Sequence, residues 1–379
     1  MNLTLVIPTF NRPDNLRKLL SVLRHFSFDG EVIVADSSSD DSRQINQQQC
    51  ARWAATTYVE YSLETPPFQK FAQAIALAQT KYIALLADDD LAFPSGLSQC
   101  VSFLEENPRY SAAHGTYLRF DVHGNRMVVP GVEYDAPSIE DDTAFGRLNS
   151  LMSNYQALTY SVQRKDCAQA AFESAYIMKG LLWQELTGGS VTAMLGRVKR
   201  LDAITHARQG GSTLGYERWH PVEWLIRDAS GLFQGFAEYV EAIEKIAGNS
   251  HEPIETHDAA NAAGLRYLLP FLSHAHLVAF APEKQGVSQE LRLSTAIDRW
   301  NDLRSPFPKS IFLKHKCVGD LARAVKRIML RTHSGGYANS VVGDDGVPIL
   351  VEFAKSVVLK EDNDTLNYLS EQLALYVVS

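Results

Sequence analysis

The sequence predicts an α/β domain over residues 1–212, a Rossmann-like, mostly parallel sheet with flanking helices, and a mostly α-helical C-terminal region over residues 213–379. Three observations predict it. Up to about residue 210, short β-type runs alternate with helical patterns, which is how a parallel sheet with covering helices reads. Acidic residues stand where those runs end, at Asp36 and at Asp88, Asp89 and Asp90. Beyond Gly215 the pattern changes to long helical stretches.

The elements follow in order. "LTLVIPTF" is an apolar run of strand length, and "RPDNLRKLLSVLRHF" carries apolar residues near i, i+3 and i+4, the spacing of one helix face. "GEVIVADSS" is the next strand, stopping at a polar cluster. "PFQKFAQAIALAQT" reads as a helix, "KYIALLA" as a strand, and "PSGLSQCVSFLEENP" as a helix begun by Pro94 and Ser95. Strand, helix, strand, helix, strand is a nucleotide-binding arrangement, with ligand expected at the carboxyl ends of the strands. The glycines and small polar residues of "RQGGSTLGYE" mark the joint. After it come "WHPVEWLIRDASGLFQGFAEYVEAIEKIAG", "SQELRLSTAIDRWNDLR", "HKCVGDLARAVKRIMLR" and "DTLNYLSEQLALYVVS", all helical in pattern. This second part is expected to serve acceptor binding, oligomerisation or contact with a membrane surface.

Composition narrows the function classes. A chain of 379 residues with 45% hydrophobic and 21% charged residues can bury a sizeable core. A formal net charge of -8 argues against a nucleic-acid partner, whose phosphates need clustered Lys and Arg. Cys50, Cys100, Cys167 and Cys317 lie far apart with no CxxC pair, so neither a zinc site nor a disulfide framework is expected. "LTLVIPTF" is too short for a secretory leader, and "LRYLLPFLSHAHLVAFAP" carries two prolines and two histidines, a poor membrane span. The expected location is cytoplasmic, which leaves room for a peripheral contact with the inner face of the cell membrane and for a homo-oligomer.

Three adjacent carboxylates at the mouth of a buried strand repel one another in a water-poor site. A divalent cation relieves that, and Mg2+ or Mn2+ takes one or two carboxylates together with substrate phosphates. The bland alternative is a solvated turn or a cap before "PSGL".

"VIPTFNRPDNLRKLL", "VIVADSSSDDS" and "KYIALLADDDLAFPSGL" resemble the three signature blocks of family-2 glycosyltransferases, inverting enzymes of the GT-A fold. Together they span roughly the first 115 residues in the family's order. The stretch from Pro66 to Gly115 is similar to a bacterial branch found among surface-polysaccharide genes. The resemblance implies nucleotide contacts at Pro8, Thr9, Asn11 and Arg12, and at Asp36 a carboxylate that accepts from the base. It places Lys70 near the diphosphate. Ala87 stands where many relatives carry the first acid of an Asp-x-Asp motif; Asp89 and Asp90 match the later, metal-binding acids, Asp88 is the candidate for the missing one, and which of the three meets the metal directly stays open. "KGLLWQELTGGSVTAMLGRVKRLD" resembles the block bearing the acceptor-side base, with Glu185 the matching acid. "RLDAITHARQGG" offers His206 for the metal and Arg208 for the phosphates.

Weaker candidates are Arg164 as a substrate contact and Tyr117 as a sugar platform, which capping and packing explain equally well, and Trp219, His220 and Trp224 around an acceptor pocket, for which core packing is the stronger reading. The resemblance implies metal-dependent, inverting transfer from a nucleotide-sugar, expected to be UDP-linked, to a hydroxyl of a glycan or lipid-linked acceptor. One alternative is a sugar nucleotidyltransferase, against which "PTFNRPDN" lacks the glycine-rich loop that holds a triphosphate. The other is a non-catalytic glycan- or nucleotide-binding module of the same fold.

Overall fold

The computed structural model describes residues 1–210, 221–249, 256–279, 338–342, 348–354 and 363–378. At its centre lies β1 (Leu3–Thr9), parallel to β2 (Glu31–Asp36) on one side and to β4 (Tyr82–Leu85) on the other. β3 (Thr56–Glu60) extends the parallel set beyond β2. Leu3, Leu5, Val6 and Ile7 are all fully buried. Helices cover both faces, so β1 is an unbroken apolar run rather than an alternating one. Leu5 and Ile7 pack with Leu16, Leu19 and Leu20 of α1 (Pro13–His25), while Val6 faces α3 (Pro67–Leu77) and α6 (Lys165–Tyr176) through Phe68, Ile75 and Phe172. Pro13 opens α1, where its missing N–H leaves nothing unsatisfied.

Past β4 the sheet continues antiparallel through β8 (Val162–Arg164), β6 (Tyr110–His123) and β7 (Arg126–Tyr134). The last two form a hairpin with a two-residue turn, whose Gly124 takes the left-handed φ of 60° that such turns require. β9 (Arg197–Gln209) runs parallel to β6 and pairs with the short β5 (Leu91–Ala92), which follows the acids directly. That pairing brings residue 208 to residue 90.

A second core joins α5 (Ala144–Ser153) and α7 (Leu181–Leu195) to α8 (Pro221–Asn249) and α9 (Thr256–Ala279) around Trp183, Leu186, Leu232, Tyr239 and Ile243. α8 is interrupted at Asp228 (φ -153°, ψ 73°), whose carboxylate accepts from the Gly231 N–H at 2.8 Å and caps the helix as it restarts. The helical patterns of residues 288–304 and 315–331, with Trp219 and His220, lie outside the described residues.

The chain then returns to the first core. β10 (Ala338–Val342) pairs with β11 (Pro348–Phe353), β11 adds in parallel to β7, and α10 (Asn363–Val378) packs beside α1. Val351, Phe353, Leu366, Leu369 and Leu373 are buried there. At roughly 1.5–3 kcal/mol for each such side chain removed from water, this return is an integral part of the sheet unit. The helical pattern at the C-terminal end is therefore present as α10, but the strands before it belong to the first sheet.

Candidate active site at the strand ends

The carboxyl ends of β1, β2 and β4 lie side by side, with Thr9 in register with Asp36. The Thr9 hydroxyl donates to Asp88 Oδ2 at 2.7 Å. Pro8 is half-buried one residue inside the strand end. Phe10, 52% exposed, and Asn11, with φ 54°, then turn the chain outward. Asn tolerates this left-handed conformation better than most residues. Its Oδ1 accepts from the Ser39 N–H at 2.8 Å and the Ser39 hydroxyl at 2.9 Å, and its own N–H donates to Ser38 Oγ at 2.8 Å. The loops after β1 and β2 are thereby stitched into one rim.

Asp36 is fully buried behind that rim. Its Oδ1 accepts from the Ser38 N–H at 2.7 Å, and its Oδ2 accepts from Asn46 Nδ2 at 2.9 Å and the Tyr58 hydroxyl at 2.8 Å. Both oxygens are already engaged, so the side chain organises the loop as well as ending the strand. Asn46, on α2 (Asp40–Cys50), and Tyr58, on β3, were not legible as site residues. They sit 10 and 22 positions from Asp36 on elements without a distinctive motif.

Lys70 lies on α3 and is 4% exposed. Its Nζ donates to the Thr9 carbonyl at 3.2 Å and to Ser37 Oγ at 2.9 Å, which holds the rim from beneath. Burial lowers its pKa to about 8.

The acids form a tight turn closed by the Asp90 N–H donating to the Ala87 carbonyl at 3.1 Å. Asp88 is buried and accepts from Thr9 and, at 3.2 Å, from Arg12 Nη1. The same nitrogen donates to Asp89 Oδ2 at 2.9 Å, and Asp89 is the most accessible of the three. Asp90 is buried and accepts from the Gln209 N–H at 3.2 Å. Burial raises Asp88 to about 6 and Asp90 to about 8, and the neighbouring Asp89 charge pushes both the same way. One guanidinium, Arg12, thus balances part of a crowded negative charge.

The facing wall comes from α7, β7 and β9. Gly180, at φ 81°, starts α7 with the Trp224 ring against it, which accounts for Trp224 as packing. One turn on, Glu185 is half-buried between the buried Trp183 and Leu186, and burial raises its pKa to about 7. Arg208 on β9 donates to the Tyr134 hydroxyl at 2.6 Å and attracts both Asp90 and Glu185. Tyr134 and Tyr160 lie within electrostatic reach of both acids. Residues far apart in the chain therefore present two carboxylates and one guanidinium to the same space.

His206 is placed differently from its expected partnership with Asp89 and Asp90. It lies flat on Tyr117, ring centroids 4.4 Å apart, is 1% exposed, and neither ring nitrogen has a partner. Burial lowers its pKa to about 3, so it is neutral. Among the described residues no three His, Cys, Asp or Glu side chains converge as a metal-holding group. Asp89 and Asp90 still supply hard oxygen donors, the donor type that Mg2+ and Mn2+ take alongside substrate phosphates. Arg164 caps α4 (Pro94–Glu106) instead of facing the site, donating to the Asn107 carbonyl at 3.0 Å and the Tyr110 carbonyl at 2.7 Å. A further contact with the acid turn, Tyr376 from α10, had no sequence signal at all.

Residues 4–161 match the family model described as glycosyl transferase family 2. Among curated proteins no relative matches the sequence. Solved structures that the chain matches include S. aureus TarS 1-349 in complex with UDP-GlcNAc, at 16% identity and TM-score 0.45, over 91% of this chain and 95% of that one. Others are the mannosyltransferase PcManGT from Pyrobaculum calidifontis with GDP-Man and Mn2+ (15%, TM-score 0.40, 80% and 88%) and glucosyl-3-phosphoglycerate synthase from Mycobacterium tuberculosis with Mn2+, UDP and phosphoglyceric acid (12%, TM-score 0.37, 63% and 78%).

Proposed function

We propose that the chain, whose residues 4–161 match the family model described as glycosyl transferase family 2, is a glycosyltransferase that transfers the sugar of a nucleotide-sugar with inversion, most simply from a UDP-sugar, to a hydroxyl of a glycan or lipid-linked acceptor. The observation that carries this reading is the shared electrostatic space of Asp90, Arg208 and Glu185. It joins the acid turn, where a diphosphate would sit, to a carboxylate whose pKa of about 7 suits a general base.

In this reading Glu185 takes the proton of the acceptor hydroxyl as its oxygen attacks the anomeric carbon. The bond from that carbon to the diphosphate oxygen breaks on the opposite face, and the nucleoside diphosphate leaves with the electron pair. Arg208 and Arg12 are the cations near enough to offset its charge. Asp89 and Asp90 would hold Mg2+ or Mn2+, which supplies further charge neutralisation at the diphosphate when bound. The rim formed by Thr9, Phe10, Asn11 and Ser38 is assigned to the nucleoside, with Phe10 offering an exposed aromatic face. We assign residues 1–212 to the donor. Helices α8 and α9 are assigned to the acceptor side, since they pack on the α7 that bears Glu185. No described helix is long and apolar enough to cross a membrane.

The test is a thermal-shift screen of nucleotide-sugars with Mn2+, followed by turnover of the stabilising donor with and without EDTA. A ligand that binds the folded state alone raises the melting point by mass action. The reading is overturned by turnover that survives both EDTA and Glu185→Gln.

A further inference from the structure

We propose that Tyr376 of α10 is a positioning residue for the donor-side acids, so that the C-terminal return of the chain takes part in assembling the site. This inference rests on the function proposed above. Tyr376 is 2% exposed, yet its hydroxyl is not spent on its own helix. The single proton is shared between Gln209 Oε1 at 3.0 Å and the Asp89 carbonyl at 3.3 Å. Gln209 is also the residue whose backbone N–H donates to Asp90 Oδ1 at 3.2 Å. One phenol therefore ties the acid turn to the end of β9, one residue past Arg208.

The ring is held from several sides. Phe120 meets it edge-on with centroids 5.5 Å apart, and Lys18 Nζ from α1 lies 5.5 Å from its centroid. Leu366, Leu369 and Leu373 anchor the rest of α10 in the first core. A rigidly packed ring fixes where its hydroxyl stands, and supporting hydrogen bonds of this kind orient the groups that touch a ligand. The short turn that bears Asp89 and Asp90 is closed by the Asp90 N–H on the Ala87 carbonyl and bridged by Arg12 at Asp88 and Asp89, which leaves the side toward β9 to be fixed from elsewhere. The tie through Tyr376 and Gln209 fixes that side.

The experiment compares the full-length wild type, Tyr376→Phe, Gln209→Leu and the double variant. The readouts are Mn2+ affinity in the presence of UDP, followed by electron paramagnetic resonance, and the melting temperature. Phenylalanine keeps the packing and deletes only the hydroxyl. The expected result is a Mn2+ Kd weakened by about twofold to tenfold, the range one neutral hydrogen bond covers, and a double variant no weaker than the worse single variant, since both cut the same tie. A purely structural tyrosine would lower the melting temperature and leave the Kd in place. Wild-type Kd in Tyr376→Phe, or additive effects in the double variant, overturns the inference alone. Absence of UDP and Mn2+ binding by the wild type overturns it together with the proposed function. Should Tyr376→Phe fail to fold, an unchanged Kd in Gln209→Leu overturns the inference and a weakened one supports it.

Discussion

Glu185→Gln should make the protein a poorer catalyst and a more stable fold, and both signs come from the same burial. The carboxyl is raised from 4.5 to about 7 chiefly by desolvation. The folded state therefore holds the proton more tightly than the unfolded chain, so this group's contribution to stability falls as pH climbs from 4.5 through about 7. At about 1.36 kcal/mol per pKa unit the charged form costs up to roughly 3 kcal/mol. Glu185 keeps some contact with solvent, so about 1–2 kcal/mol is the working figure. The neutral amide removes that cost. At pH 8 the variant should melt higher by about 2–5 °C, and at pH 5 the difference should shrink toward zero. Its kcat should drop by about 10²–10⁴, the usual worth of a positioned base. Wild-type kcat/KM should rise with pH as Glu185 ionises around 7, and the variant should lack that acid limb. Calorimetry at the two pH values, with a nucleoside-diphosphate release assay, reads both arms. A kcat within tenfold of wild type, or a lower melting point at pH 8, refutes the reasoning.

Lys70, lowered to about 8 by burial, loses its charge as pH rises through that value, so kcat/KM should decline on the alkaline side; Lys70→Met should abolish this limb in a pH profile. Asp89→Asn should weaken Mn2+ binding in calorimetric titration by about fivefold to 150-fold, because Asp89 is the accessible acid of the turn and a removed charge partner costs on the order of 1–3 kcal/mol. Tyr58→Phe should destabilise the chain by about 1–3 kcal/mol in urea denaturation and weaken UDP binding, since the buried Asp36 carboxylate loses one of its three donors. Gly180→Ala should cost about 2–4 kcal/mol in the same urea assay, because alanine disfavours a φ of 81° and its methyl would meet the Trp224 ring; a change below about 0.5 kcal/mol would contradict that packing.

The sequence by itself determined the local elements and the acids. β1 and α1 are legible because burial on two faces, or on one stripe, imposes a run or a period on neighbouring residues, and both patterns survive in one dimension. The acid turn is legible because three adjacent charges after an apolar strand are costly without a partner. The family resemblance singled out Glu185 and Arg208; the approach of Arg208 to Asp90 is a property of the fold, made by pairing β5 with β9, and Glu185 comes within reach of Arg208 from α7. The same holds for Asp36, whose engagement by Asn46 and Tyr58 no motif announces, and for His206, which the strand sets against Tyr117 instead of beside two acids. Tyr376 is the extreme case, 287 positions from the Asp89 carbonyl it reaches. Periodicity records which face of an element is dry. It carries nothing about which distant element dries it, and only the closing of the sheet and its C-terminal return decided that.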